Sequence, residues 1–101
     1  MYGAEVDTDT ITVVVTSGAI PLTAKVVFLD TSAGVSTATL AAGVPGQRIV
    51  IKMVTDGGDQ VLTPAVFVDG TIVTFDNADY IELLSDGTSW MSIGTPTAAV
   101  S

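Results

Sequence analysis

Turn signals interrupt this chain so often that no long element can form. "SGAIP", "TSAG", "AGVPG", "DGGD", "DG", "DNAD" and a second "DG" fall at short intervals from Ser17 to Gly87. Between them lie short runs rich in Val, Thr and Ile, which suit a pleated, half-buried surface. Those runs are Thr10–Thr16, Ala24–Asp30, Ser36–Ala41, Gln47–Thr55, Gln60–Pro64, Thr71–Phe75, Asp79–Ser85 and Thr88–Gly94. The one stretch with helical promise, "TATLAAG", is short and β-branched at its start. The pattern predicts an all-β chain: a single small β-sandwich or β-barrel-like domain of about eight short, mainly antiparallel strands. Residues 11–101 form that domain. Residues 1–10, polar and acidic, read as an N-terminal arm that is loose in the free protein and ordered on a partner.

Alternation along the runs assigns faces. In "QRIVIKMV", Ile49, Ile51 and Met53 point one way, and Arg48, Val50, Lys52 and Val54 the other. Two of the chain's three basic residues therefore share one strand face. That face is either solvated and a guard against edge pairing, or a contact for an acidic neighbour. In "LLSDGTSW", Asp86-Gly87 suits a two-residue type I′ turn. That turn pairs Ser85 with Thr88, Leu84 with Ser89 and Leu83 with Trp90. Ile81, Leu83 and Trp90 then share a core face, and Glu82, Leu84 and Met91 share a mixed outer face that suits cover by a neighbour. Gly87 is expected to resist substitution more than Gly58, whose loop has a second glycine and more ways to close.

The chemistry available is narrow. The chain has no Cys and no His, so it has no thiolate, no zinc-thiolate site and no imidazole base. A Ser nucleophile would lack a partner to take its proton. No catalytic residue, cofactor or metal ligand is expected, and the chain does not read as an enzyme. "DTDT", "DGGD" and "DNAD" are compact acidic loops that could hold a structural cation, but none has EF-hand spacing; Asp in such loops serves turn hydrogen bonds. A net charge of −8 with three basic residues argues against nucleic acid and against an anionic membrane surface. "MYGAEVDTDT" lacks the basic and apolar regions of a signal peptide, and no apolar run approaches the length of a membrane-spanning helix.

Composition points instead to association. Hydrophobic residues make up 48% and charged residues 14%, against about 25% charged in a typical domain; mean hydropathy is +0.59. A 101-residue chain has a thin core, and surplus apolar surface is usually placed in an interface.

"STATLAAGVPGQRIVIKMVTDGGDQVLTPA" followed by "GTIVTFDNADYIELLSDGTSWMSIG" resembles a module of tailed-bacteriophage virion structural proteins, found in head decoration, head-fibre and tail-fibre proteins. The residues that carry the resemblance are Gly43, Pro45, Gly46, Gln47, Asp56, Gly57, Gly58, Gly70, Thr71, Phe75, Asp76, Asp86, Gly87 and Trp90, and the family-like core spans residues 36–94. They are turn and core residues, so they specify architecture better than task. The resemblance implies a virion protein on the outer surface of the capsid, made in the bacterial host cytoplasm. Read as complete at its given length, the chain has no room for a fibre shaft. A non-enzymatic capsid decoration (cement) protein is then implied, a homotrimer bound to the major capsid protein. Alternatives are a head-fibre, spike or tail-fibre module, or a non-viral β-sandwich binding domain, for instance for carbohydrate. Candidate partner-binding residues are Tyr2 and Val6 on the arm, and Arg48 and Lys52 on the strand face.

Overall fold

A computed structural model describes residues 12–101. The arm at residues 1–10, with Tyr2 and Val6, lies outside the described residues. The strands are β1 (Thr12–Val15), β2 (Gly18–Ala19), β3 (Val26–Asp30), β4 (Ser36–Leu40), β5 (Pro45–Thr55), β6 (Gln60–Pro64), β7 (Val73–Phe75), β8 (Tyr80–Asp86), β9 (Trp90–Ile93) and β10 (Ala99–Val100). They form two five-stranded sheets. The front sheet has the order β1-β3-β5-β8-β9, and the back sheet β10-β7-β6-β4-β2. This is a small all-β, sandwich-like fold, and each of the eight expected runs overlaps one of its strands, with β5 beginning two residues before its run and β8 ending one residue after.

The expectation of mainly antiparallel pairing is corrected. Pairs β1–β3, β3–β5, β2–β4 and β4–β6 are parallel; β5–β8, β8–β9, β6–β7 and β7–β10 are antiparallel. From β1 to β6 the chain alternates between sheets, so each new strand lies beside the one two places earlier. The reason is the turns. Stacked sheets lie about 10 Å apart, a gap that three or four extended residues can cross. Short segments such as Ala41–Val44 and Asp56–Asp59 therefore carry the chain from sheet to sheet rather than folding a strand back on its neighbour. Beyond β6 the chain reverses and both sheets end in antiparallel strands.

Alternation sets the core. Ile49, Ile51 and Met53 of β5, Val27 and Leu29 of β3, and Ile81 and Leu83 of β8 point inward and are buried. They meet Ala38 and Leu40 of β4, Leu62 of β6, and Val73 and Phe75 of β7 from the back sheet, also buried. Trp90, fully buried, closes one end. Its indole Nε1 donates to Ala41 O at 2.8 Å, and its backbone pairs with the loop after β6: Trp90 N to Val66 O at 2.7 Å, and Val68 N to Trp90 O at 2.9 Å. That loop covers the outer edge of β9.

The last hairpin departs from its expected register. Ser85 pairs with Trp90, Leu84 with Met91, Leu83 with Ser92 and Glu82 with Ile93. A type I′ turn needs positive φ at both central residues, but only Gly87 has it, at 98°. Asp86 instead takes the backbone N–H groups of Thr88 and Ser89 on its Oδ1, at 2.9 and 2.7 Å, which opens the loop. The shift from the expected pairing is two residues, and side chains alternate with period two. Ile81, Leu83 and Trp90 therefore keep their common core face, and Leu84 and Met91 stay outside.

Those two N–H groups hold the Asp86 carboxyl below its ordinary value of 3.8. A depressed folded-state value contributes stability above the unfolded value, lost as pH falls through the folded one. Asp86→Asn is therefore expected to melt at a lower temperature than wild type at neutral pH, with the gap closing under strongly acidic conditions. Melting curves across that range check it. An unchanged gap in acid would mean the charge contributes nothing to this turn.

The opposite end of the core is polar. Thr31, buried, donates its hydroxyl to Gly58 O and accepts from Gly57 N at 3.1 Å. Gln60 of β6, also buried, meets the Ser36 hydroxyl at 2.6 Å, and Ser36 Oγ lies 2.8 Å from Thr16 O. Ser36 has one proton. That proton goes either to Gln60 Oε1 or to Thr16 O, and the buried Gln60 Nε2 has no hydrogen-bond partner among the described residues. This end also corrects the expectation that Gly58 sits in a forgiving loop. A Cβ on Gly58 would lie 2.5 Å from Val35 N and 2.8 Å from Gly34 C.

Candidate functional site

The expected site residues Arg48 and Lys52 both lie on the outer face of β5, which is a central strand of the front sheet and not an edge. Edge protection is therefore not their role. Both are held within the chain. Arg48 Nη1 lies 3.7 Å from Glu82 Oε2 of β8, the diagonal cross-strand neighbour. Arg48 is largely exposed and Glu82 about a third exposed, so water screens the pair and it adds little stability, on the order of 0–1 kcal/mol. Lys52 Nζ donates to Ala78 O at 3.0 Å and lies 5.9 Å from the centre of the Tyr80 ring, its direct partner across β8. Ala78 has φ 62°, a conformation non-glycine residues seldom adopt. The Lys52 ammonium on its carbonyl helps hold that turn.

Register builds the rest of the face in three rows. One runs Val14, Phe28, Lys52, Tyr80; the next Val26, Val50, Glu82, Ile93; the third Arg48, Leu84, Met91. Apolar side chains fill most of these positions. Val14 is 61% exposed and Tyr80 38%, while Val26, Phe28, Val50, Leu84, Met91 and Ile93 are half-buried. The outer face of the back sheet differs in kind, with Thr37, Thr39, Val61, Thr63 and Thr74 at its centre.

The acidic loops use their carboxylates on their own backbone. Asp56 Oδ1 accepts from Gly58 N at 3.2 Å, Asp79 Oδ2 from Asp76 N at 2.8 Å, and Asp76 Oδ1 from Asn77 N at 2.8 Å. Among the described residues no three acidic side chains converge as a metal site would require. A cleft of about 170 Å³ opens between the β1–β2 turn and the β3–β4 loop, lined by Thr16, Asp30, Thr31 and Ser36 among others. Its carboxylate is committed locally: Asp30 Oδ1 takes Ser32 N at 2.9 Å, which lowers its proton affinity. The Thr31 hydroxyl is engaged by Gly57 and Gly58. The cleft therefore offers hydroxyls and the ionised carboxylate of Asp30, whose Oδ1 is already taken by Ser32 N.

Alternation brought Arg48 and Lys52 to one face. It did not reveal Phe28 and Val26 as their neighbours, because the parallel β3–β5 pairing is a long-range fact with no local signal. Comparison of the chain with protein-family models, curated proteins and solved structures finds no match.

Proposed function

We propose that this chain is a non-enzymatic capsid decoration protein that binds the outer surface of a bacteriophage head as a trimer and stabilises the shell. Support for an assembly role comes from the front sheet: a face of mostly apolar side chains on a chain whose polar groups are largely committed to their own turns. A protein that works by burying surface needs such a face and needs no reactive group. The virion placement rests on the resemblance over residues 36–94. A shell presents many identical sites, and a trimer gains avidity by engaging three of them at once.

The test is re-addition of purified protein to undecorated heads, with occupancy read by gel and by reconstruction. Saturable binding at hundreds of copies per particle is expected; a few dozen would place the chain in a fibre or tail, and no binding would overturn the reading. Removal of residues 1–9 is expected to leave the melting temperature nearly unchanged and to weaken binding about tenfold per arm, about 1.4 kcal/mol. A neighbouring capsid strand would take residues from that stretch as an added strand, with Tyr2 and Val6 as apolar anchors. Full-strength binding by the truncated chain would move the attachment to the face of Arg48 and Lys52 or to the loops.

A further inference from the structure

We infer that the outer face of the front sheet is the surface by which copies of this chain associate with one another. The inference rests on the trimer reading above, and it assigns the contact to particular residues. Three observations carry it.

The first is charge. The chain bears a net charge of −8, so two copies repel over most of their surfaces. The front face is the exception. It sets Arg48 and Lys52 against Glu82, with Asp30 at its loop end, and so is balanced. Most other described carboxylates lie in the loops: Asp56, Asp59, Asp69, Asp76, Asp79 and the hairpin's Asp86. Copies meeting through this face keep those carboxylates at the rim, in water.

The second is self-complementarity. Both signs stand on one face within one diagonal of each other, at Arg48 and Glu82. Around a three-fold axis the front sheets of three copies turn toward one another, and each copy can set its Glu82 against the next copy's Arg48, a contact that repeats and closes. Because Arg48 is largely exposed and Glu82 stays partly in water, the intrachain contact can be exchanged for an intermolecular one at little cost.

The third is the contrast between the sheets. Val26, Phe28, Val50, Leu84, Met91 and Ile93 form an apolar field on the front sheet, while the back sheet presents mainly threonine. Removal of apolar surface from water therefore favours contact through the front sheet and not the back. Strands about 4.8 Å apart with outward residues about 6.6 Å apart give a face of roughly 400 Å². That is about half of the ~800 Å² per partner in a standard interface, so the association is concentration-dependent.

The chain has no cysteine, so one introduced thiol is a unique probe. Val50→Cys, at the middle of the face, is expected to react with a maleimide about tenfold more slowly at protein concentrations well above the dissociation constant than in dilute solution, since only the free fraction reacts. Thr63→Cys, on the exposed back face, should react at one rate throughout. In sedimentation, Phe28→Glu and Arg48→Glu are both expected to lower the association constant at least about tenfold, about 1.4 kcal/mol. Arg48 is exposed, so its variant keeps the fold; circular dichroism verifies this for both. Concentration-independent labelling of Val50→Cys, or undiminished self-association of Arg48→Glu, overturns the inference. A trimer that survives both substitutions and still saturates heads would leave the decoration reading standing and the face assignment wrong. Variants that lose self-association while wild type fails to bind heads would do the reverse.

Discussion

Trp90→Ala is expected to destabilise the fold by about 3–5 kcal/mol, the range for deleting a buried large aromatic. A domain of this size has a total stability of about 5–15 kcal/mol, so the loss is a large share of the whole. The mechanism has two parts. The indole is fully buried between the ends of the two sheets, and the methyl group left behind cannot fill that space. The indole N–H also satisfies Ala41 O at 2.8 Å, in the segment that carries the chain from β4 to β5. Without it that carbonyl loses its partner and the sheet-to-sheet connection loosens. Urea denaturation followed by far-ultraviolet circular dichroism measures the change, because the variant has no tryptophan to report. Trp90→Phe separates the two parts: it keeps most of the apolar volume and loses the donor, so it should cost about 1–3 kcal/mol, the penalty of leaving the Ala41 carbonyl unpaired. A loss below about 1 kcal/mol for Trp90→Ala would show that the end of the sandwich collapses around the gap, against ordinary cavity behaviour.

The strands were legible because their signals are local. Val, Ile and Thr runs bounded by Gly, Pro, Asn and Asp mark a strand whatever it pairs with. Two strands had no such signal. β2 (Gly18–Ala19) and β10 (Ala99–Val100) are two residues each and exist only because β4 and β7 offer them an edge. The choice of sheet was illegible for a related reason. A four-residue turn can fold a strand back beside its predecessor or carry it across to the facing layer, and "AGVPG" does not say which. The hairpin shows where local chemistry misleads: Asp-Gly favours a tight turn, but the Asp86 carboxylate finds two backbone N–H groups beyond it and a wider loop results. Face assignments survived because they depend only on parity. Ile49, Ile51 and Met53 are inside and Arg48 and Lys52 outside, as alternation requires. The buried polar groups were beyond reach. Thr31 and Gln60 look like ordinary loop and strand-start residues, and only the meeting of three distant segments makes them interior.

At that meeting Gly58→Ala is expected to destabilise by about 1–3 kcal/mol, toward the upper end. The sequence suggests the opposite, because Gly57-Gly58 looks permissive. The added Cβ, however, would sit 2.5 Å from Val35 N and 2.8 Å from Gly34 C. Both obstacles are backbone, so no rotamer change relieves them. Nor can either loop step aside freely. Ser36 N donates to Asp59 O at 3.1 Å, Thr31 N donates to Thr55 O at 2.9 Å, and the Thr31 hydroxyl holds both Gly57 N and Gly58 O. To admit one methyl group the loop must break at least one of these bonds, each about 1 kcal/mol net when made and more when a buried group is left unpaired. Thr31→Val tests the same clamp from the other side. It keeps the shape, removes the hydroxyl, and should cost about 1–3 kcal/mol by leaving the Gly57 N–H and Gly58 carbonyl unpaired. The two changes act on one network, so the double variant should lose less than the sum of the single losses. Urea melts of the two single variants and the double variant decide the matter. Strict additivity would show that the loops are independent. A Gly58→Ala loss under about 0.5 kcal/mol, the level of an ordinary surface change, would show that the approach of the 56–59 turn to the 31–35 loop is not held in solution.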